Sequence, residues 1–225
     1  QNINSRIEDN RYCVGVNNKD IDDFKNSLPF TLTGAQSRVI DEIVDDLNNP
    51  YKMDRLLQGD VGSGKTAVAA ATLYATIKAG YQTAIMAPTE ILANQHFETF
   101  FEFFKDLNIS VALLTSSTPK KDRNTILSLL EVGEIELLIG THSLIQEDVK
   151  FNNLKYVITD EQHRFGVKQR QLLSNKGEAV NSLMMTATPI PRSLAITLIT
   201  DIKVSTIDEL PAGRKKVQTY KATNK

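Results

Sequence analysis

A glycine-rich segment with a lysine and a threonine is the first part of the sequence that could bind an anion. Residues 59–66, GDVGSGKT, match the phosphate-binding pattern G-x-x-x-x-G-K-[ST]. Because glycines lack a Cβ, backbone amides and the start of the following helix can face bound phosphates. Lys65 then brings a positive charge to the β- and γ-phosphates, and Thr66 brings a hydroxyl to Mg²⁺. The predicted triphosphate-binding residues are Gly59, Asp60, Val61, Gly62, Ser63, Gly64, Lys65 and Thr66.

Two adjacent carboxylates form a second candidate site. DEQH, at 160–163, follows an apolar run that reads as a buried strand. An acidic side chain at such a strand end, downstream of a phosphate loop, typically holds Mg²⁺, so we expect Asp160 to bind the metal through water. We expect Glu161 to orient and deprotonate the attacking water. The alternative is that both are solvated loop charges.

A histidine and two threonines could join the predicted metal site to the next loop. His163 follows the acidic pair, and its two ring nitrogens can form separate hydrogen bonds. Its expected partners are Thr186 and Thr188 in TATPIPR, residues 186–192, and Arg192 belongs to the same coupling segment. The alternative is that His163 is an ordinary polar loop residue.

These residues must be positioned by alternating strands and helices. Short apolar runs predict strands at 55–58, 83–87, 110–114, 137–140, 156–159, 183–186 and 204–207. Helical spacing predicts helices at 33–47, 65–79, 91–106, 121–131, 167–174 and 191–199. This order predicts an α/β fold with a mostly parallel sheet of about seven strands and helices on both faces. Ligands of such sheets bind beyond the carboxyl ends of the strands, where both candidate sites fall.

Composition excludes several classes of protein. The 225 residues are 41% hydrophobic, which argues against global disorder, and the net charge of −1 is not that of a strongly basic nucleic-acid binder. The single cysteine, Cys13, excludes an intrachain disulfide framework and favours a reducing compartment, so a cytoplasmic location is expected. No apolar run is long enough to span a membrane.

The motifs and their order resemble the first RecA-like domain of superfamily 2 helicases, over residues 28 to 216. Within that superfamily the sequence looks like the RecG family of branched-DNA helicases. Ser63 and Gln162 favour this family over the transcription-repair coupling factors, which tend to have Tyr and Glu there. The segments that carry the resemblance are LPFTLTGAQ (28–36), LLQGDVGSGKT (56–66), MAPTEILANQH (86–96), DEQHRFG (160–166), TATPIPR (186–192) and DELPAGR (208–214).

The resemblance implies ATP, Mg²⁺ and DNA as ligands. Gln36 matches the glutamine that contacts the adenine edge in such motors, and Phe30 is expected near the base, although it could equally be a core residue. The implied DNA partner is a branched or forked duplex, such as a Holliday junction or a stalled replication fork. The side chains that match DNA-backbone contacts are Thr89, Thr115, Thr141 and His142. For Thr89 and Thr141, helix capping is the alternative role.

The resemblance also implies a domain plan. Residues 1–27 are expected to be a linker or the tail of a preceding domain, 28–216 the ATP-binding domain, and 217–225 the start of a linker. A second RecA-like domain with an arginine finger, and a wedge domain that binds junctions, would lie outside this chain. We therefore expect a monomeric piece that hydrolyses ATP weakly or not at all. Two other classes stay open: a nucleotide-binding module without a DNA role, and a scaffold.

A group of aromatic residues allows two interpretations. Five phenylalanines follow the segment 88–95: Phe97, Phe100, Phe101, Phe103 and Phe104. They could form a platform on which bases stack. Their helical spacing favours core packing instead.

Overall fold

A parallel β-sheet forms the centre of the molecule. The structure, a computed structural model, describes residues 10–60, 64–160, 167–187 and 203–207. Within these ranges the strands are β1 (Asp54–Gly59), β2 (Gln82–Met86), β3 (Val111–Leu114), β4 (Leu137–Gly140), β5 (Leu154–Asp160), β6 (Asn181–Thr186) and β7 (Lys203–Ile207). They form one sheet in the order β3-β4-β2-β5-β6-β1-β7, and each neighbouring pair is parallel.

Helices cover both faces of this sheet. They are α1 (Asn18–Ser27), α2 (Gly34–Leu47), α3 (Lys65–Lys78), α4 (Glu90–Phe104), α5 (Lys120–Glu131) and α6 (Val167–Ser174). Buried side chains of α1 to α4 share one hydrophobic core with one face of the sheet. Side chains of α5 and α6 belong to a second core on the opposite face. The predicted α/β class, with seven parallel strands between two helical layers, is confirmed.

The predicted elements agree closely with the observed ones. All seven predicted strands overlap an observed strand, and the predicted helix at 167–174 matches α6. The helix predicted at 191–199 lies outside the described residues. The agreement follows from the burial of parallel strands on both faces, which leaves short, continuous apolar runs in the sequence.

Helix α3, which follows the phosphate loop, is buried on every side. All residues from Ala67 to Ile77 are buried, because α1 and α2 pack on its outer side and the sheet on its inner side. Its many alanines allow this close approach. The hydroxyls of Thr72 and of Tyr156 in β5 form a hydrogen bond of 3.0 Å.

No helix in the described part of the chain is both long and apolar enough to cross a bilayer.

Residues 18–27 lie within the segment that the sequence predicts to be a linker or the tail of a preceding domain. They form α1, which Asn17 caps and which buries Ile21 and Phe24 against the domain. The Phe24 ring lies 5.6 Å from the Tyr74 ring and 6.1 Å from the Phe103 ring, centroid to centroid. Burying such side chains contributes roughly 1.5–3 kcal/mol each, which a freely moving linker could not gain. The helix was missed because its apolar residues are few.

Most of the aromatic side chains of α4 pack into the core. Phe100 and Phe104 are fully buried, and Phe97 and Phe103 pack against the same core. Phe101 is 48% exposed, so one ring of the five faces solvent. Little aromatic ring surface on α4 is therefore exposed for bases to stack on.

Strand order divides the carboxyl edge of the sheet into two halves. Strands β5, β6 and β1 are neighbours, with Asp160 beside Met185 and Thr186 beside Gln58. Strands β2, β4 and β3 form the other half and lead to the segments predicted to contact DNA. All carboxyl ends of parallel strands meet at one edge, so the two sets of loops are adjacent.

Candidate nucleotide site and nucleic-acid interface

The phosphate loop joins the end of β1 to the start of α3. Gly64, directly before α3, has φ +88°, a left-handed conformation that favours glycine. The Lys65 ammonium donates to the carbonyl oxygens of Gly59 at 2.5 Å and Asp60 at 3.3 Å, so it lies over its own loop. Thr66 is half-buried in the first turn. Val61, Gly62 and Ser63 lie outside the described residues.

The predicted adenine-contacting glutamine is tied to this loop. Gln36 is 1% exposed and forms a capping box with Thr33: its backbone N–H donates to Thr33 Oγ1 at 3.2 Å, and its Oε1 accepts from the Thr33 N–H at 2.9 Å. Its Nε2 donates to the Gly64 carbonyl at 3.2 Å. Phe30 is 43% exposed and lines open cavities of about 430 and 600 Å³. Gln36 and the phosphate loop are therefore brought together, and Phe30 is not a core residue.

The predicted metal ligand at the end of β5 has a partner on another helix. Asp160 Oδ2 lies 2.7 Å from His96 Nε2 of α4, and both side chains are mostly buried, at 15% and 16% exposure. No role is predicted for His96 from the sequence. One signal was available: His96 lies three residues after Ala93 and four before Phe100, both fully buried, so it shares their helix face. The predicted catalytic residues Glu161 and His163 lie outside the described residues.

The coupling segment begins at the end of β6. Thr186 is 2% exposed and lies in the strand between β5 and β1, beside Gln58. It therefore stands between the strand that ends in Asp160 and the strand that leads to the phosphate loop. Thr188 and Arg192 lie outside the described residues.

The donor set suits magnesium. Thr66 offers a hydroxyl and Asp160 a carboxylate, which are the oxygen ligands that Mg²⁺ prefers. Both β1 and β5 pair with β6, so their ends are two strand spacings apart, about 10 Å. In the described ranges no three His, Cys, Asp or Glu side chains cluster to form a metal cage. Magnesium suits such a site because it commonly binds through few protein ligands, with water and substrate phosphates completing its shell.

The start of α4 is linked to the loop after β3. Thr89 is exposed and caps α4, its hydroxyl accepting from the Leu92 N–H at 3.3 Å, so the predicted capping role is confirmed. The Glu90 carboxylate accepts from Ser116 Oγ at 2.9 Å and from Ser117 N and Oγ at 3.0 and 2.9 Å. Hydrogen bonds from Ser117 first, then Ser116 and Thr115, lower the pKa of Glu90. The carboxylate therefore stays ionised and holds two candidate DNA loops together.

Two of the predicted DNA-contacting hydroxyls point inward. Thr115 is 6% exposed and Thr141 is 3% exposed. Thr141 Oγ1 lies 3.3 Å from Ser143 Oγ, which donates to the Leu114 carbonyl at 2.8 Å. The alternative role of Thr141 as a helix cap is absent, since its side chain forms no cap hydrogen bond with the 3-10 turn His142–Ile145. The hydroxyls of Thr115 and Thr141 therefore support the loops after β3 and β4 from inside. In the same two loops, the side chains of Ser116, Ser117 and His142 are exposed.

An arginine fastens the turn that carries His142. Arg123 of α5 donates to both Asp148 oxygens, at 2.6 and 2.8 Å, and to Gln146 Oε1 at 2.7 Å. These bonds lower the pKa of Asp148 and raise that of Arg123, so both stay charged at neutral pH. These hydrogen bonds therefore join the loops after β2, β3 and β4 into one surface.

The chain is similar in sequence to known proteins. The family model for the DEAD/DEAH box helicases matches residues 33–196. The ATP-dependent DNA helicase RecG of Bacillus subtilis is 59% identical over 203 residues, which cover 90% of this chain and 30% of that protein. RecG of Aquifex aeolicus is 52% identical over 208 residues, covering 92% of this chain and 26% of that protein. The chain thus spans roughly a quarter to a third of the length of these relatives.

Solved structures agree with the sequence comparisons. RecG bound to a three-way DNA junction superposes with a TM-score of 0.82 at 50% identity, over 92% of this chain and 28% of that one. The helicase MrfA bound to DNA and AMPPNP superposes with a TM-score of 0.66 at 15% identity, over 86% of this chain and 29% of that one. The second likeness concerns the fold alone.

Proposed function

Because this chain belongs to the DEAD/DEAH box helicase family, we propose that it is the ATP-binding motor domain of a helicase of the RecG kind, acting on branched DNA. The observation that carries the proposal is the carboxyl edge of the sheet. There, β1, β6 and β5 bring the phosphate loop, Thr186 and Asp160 into one half, next to the cross-linked loops of the other half. A nucleotide-binding module without a DNA role would not need that second half.

Nucleotide binding would use the α3 end of the site. Amides of the loop and of the first turn of α3 would bind the phosphates. The Lys65 ammonium, which donates to the Gly59 and Asp60 carbonyls, would turn from them to the phosphates. Thr66 and Asp160 would hold Mg²⁺, the latter through water, and the ion would supply positive charge against the phosphate oxygens.

Cleavage would use the residues after Asp160. Glu161 would orient and deprotonate the attacking water. His163 would relay the state of this site to Thr186 and Thr188, and Arg192 would belong to the same coupling segment. Gln36 would contact the adenine edge, since its amide can donate and accept, and Phe30 would lie near the base.

DNA would bind across the loops after β2, β3 and β4. We propose Thr89, Ser116, Ser117 and His142 as the side chains that face the backbone, because all four are exposed. Thr115 and Thr141 would act through the loops that they support. Hydroxyls and amides can bind phosphates without dense positive charge, which suits a chain of net charge −1. The preference for branched DNA is proposed from the likeness to RecG bound to a three-way junction.

The domain plan is part of the proposal. Residues 28–216 would form the first RecA-like domain, and 217–225 would lead to a second one that supplies an arginine finger. A wedge domain would bind the junction. The complete protein would be a monomer in the cytoplasm. The single cysteine of this chain favours such a reducing compartment.

Nucleotide and DNA titrations test this function. The chain should bind a fluorescent ATP analogue, and Lys65→Ala should weaken binding at least tenfold because it removes the phosphate-facing charge. The full-length protein should hydrolyse ATP faster with a three-way junction than with a linear duplex of equal length. Binding without any DNA stimulation would instead favour the nucleotide module, and equal stimulation by both DNAs would favour a coupling-factor translocase. If neither wild type nor variant bound nucleotide, the scaffold class would replace the proposal.

A further inference from the structure

His96 contacts the carboxylate that we assign to magnesium, although it lies outside the phosphate loop and the acidic motif. Its Nε2 is 2.7 Å from Asp160 Oδ2. The ring is fixed on a helix face that also carries the fully buried Ala93 and Phe100, and its centroid lies 6.1 Å from that of Phe100. The contact is therefore made by a side chain with little freedom to leave.

The chemistry of the two groups shows which of them donates the hydrogen bond. An ionised carboxylate only accepts, so the Nε2 atom carries the hydrogen and donates it to Oδ2. A bond to a carboxylate is shorter and stronger than one between neutral groups, and 2.7 Å is in that range. It fixes the rotation of the Asp160 side chain, whose Oδ1 would then accept a hydrogen bond from a water of the bound Mg²⁺. Groups that orient a metal ligand in this way are typically worth about 10- to 100-fold in metal affinity or activity.

Helix α4 carries this histidine from the DNA-facing half of the edge. Thr89 caps the helix beside the proposed DNA surface, and Glu90 joins it to Ser116 and Ser117. His96 follows seven residues after Thr89, which is about 10 Å along a helix. One rigid helix therefore joins the proposed DNA surface to the predicted metal ligand.

We propose that His96 is a positioning residue that holds the Asp160 carboxylate for Mg²⁺ and ties it to the DNA-facing end of α4. This inference rests on the proposed function, since it takes Asp160 as the metal ligand. Other carboxylates of the helix lack this geometry: Glu98 is exposed, and Glu102 pairs at 2.7 Å with Lys105, the residue directly after α4.

Three variants of the full-length protein test the proposal. His96→Leu removes the donor and keeps an apolar side chain beside Phe100. His96→Gln keeps a donor at a similar distance from the backbone. Glu98→Ala, on the exposed side of the same helix, is the matched control. Mn²⁺ binding to the protein–ATPγS complex, followed by the EPR signal of free Mn²⁺, reports the metal site without turnover. Melting temperature, and kcat and KM for ATP with a three-way junction, complete the measurements.

We expect His96→Leu to raise the half-saturating Mn²⁺ concentration and to lower kcat by at least about tenfold, with KM for ATP within about twofold of wild type. We expect His96→Gln to recover most of both losses, and Glu98→Ala to match wild type. A folded His96→Leu protein with wild-type Mn²⁺ affinity would overturn the proposal, and so would a His96→Gln protein that recovers stability but not Mn²⁺ affinity. Wild-type protein that fails to hydrolyse ATP, or that hydrolyses it equally after Lys65→Ala, would overturn the proposed function itself.

Discussion

The side-chain amide of Gln36 donates to the backbone carbonyl of Gly64 across 3.2 Å, which joins the first turn of α2 to the phosphate loop. The same side chain accepts from the Thr33 N–H in a capping box. Gln36 therefore has two structural tasks, one that starts a helix and one that supports the loop. Substitutions can separate these tasks, because glutamate also fits the third position of a capping box but has no amide donor.

Gln36→Glu should keep the fold and weaken phosphate binding. The capping bond survives, while the loss of the donor to Gly64 frees the loop. Thr33→Ala does the opposite: it removes the cap, which should cost about 1 kcal/mol, and keeps the amide bond. Thermal melting and titration with ADP and with tripolyphosphate measure both effects.

The choice of ligands separates loop support from adenine recognition. Loop support by Gln36 predicts that Gln36→Glu weakens the binding of both tripolyphosphate and ADP, and the proposed adenine contact predicts that the loss is larger for ADP. A loss confined to ADP would mean that Gln36 acts on the adenine alone. Equal melting of Thr33→Ala and wild type would show that the capping box contributes nothing.

Glu90→Gln should loosen the loop after β3 and weaken DNA binding about three- to tenfold, because an amide has one acceptor oxygen where the carboxylate has two. The measurement is fluorescence anisotropy with a labelled three-way junction. Glu98→Gln, an exposed change of the same charge on α4, is the control. A Glu90→Gln protein that binds DNA more tightly would show that Glu90 mainly repels phosphates.

The pH dependence of this network follows from the lowered pKa of Glu90. A carboxyl group with a lowered folded-state pKa stabilises the fold above its unfolded-state pKa, and that contribution is lost as the pH falls through the folded-state pKa. Hydrogen bonds from Ser117 and Ser116 hold the folded-state pKa of Glu90 below the ordinary range of a glutamate side chain, so the carboxylate is already fully ionised well below neutral pH. Between about pH 6 and 9, the ratio of wild-type to Glu90→Gln DNA affinity should therefore stay constant. A ratio that changes across this range would assign the effect to another group.

The buried charges at the opposite end of α2 should matter for stability. Asp46 accepts from Arg55 Nε at 2.9 Å and Nη2 at 2.7 Å, and both side chains are 9% exposed. Asp46→Ala leaves the arginine buried without this partner, so we expect a loss of about 3–5 kcal/mol in the free energy of unfolding. Urea denaturation measures it, with the exposed neighbour Asp45→Ala as control. A loss below about 1 kcal/mol would mean that water or Glu42 replaces the missing carboxylate.

The sequence was informative wherever function or burial requires a local pattern. Apolar runs predicted the seven strands, and the phosphate-binding pattern predicted Gly64 and Lys65, because both kinds of signal lie within a few neighbouring residues. Contacts between residues far apart in the chain could not be predicted from such local patterns. His96 and Asp160 are 64 residues apart, and only the pairing of β2 with β5 brings their elements together. The inward orientation of Thr141 likewise depends on tertiary packing, because its partner Ser143 donates to the Leu114 carbonyl.

Gly140→Ala should damage the DNA surface through packing. A Cβ at this position would lie 2.1 Å from the Leu114 carbonyl oxygen and 2.8 Å from Leu144 Cδ2, so β4 or the loop after β3 must shift. Such overpacking typically costs about 1–3 kcal/mol, and the shift also displaces Ser143, which donates to the same carbonyl. His142→Ala, at the exposed neighbour, should lower DNA affinity without changing stability. Urea denaturation and junction anisotropy on both variants separate the effects: a Gly140→Ala protein of wild-type stability would show that the strands yield without cost.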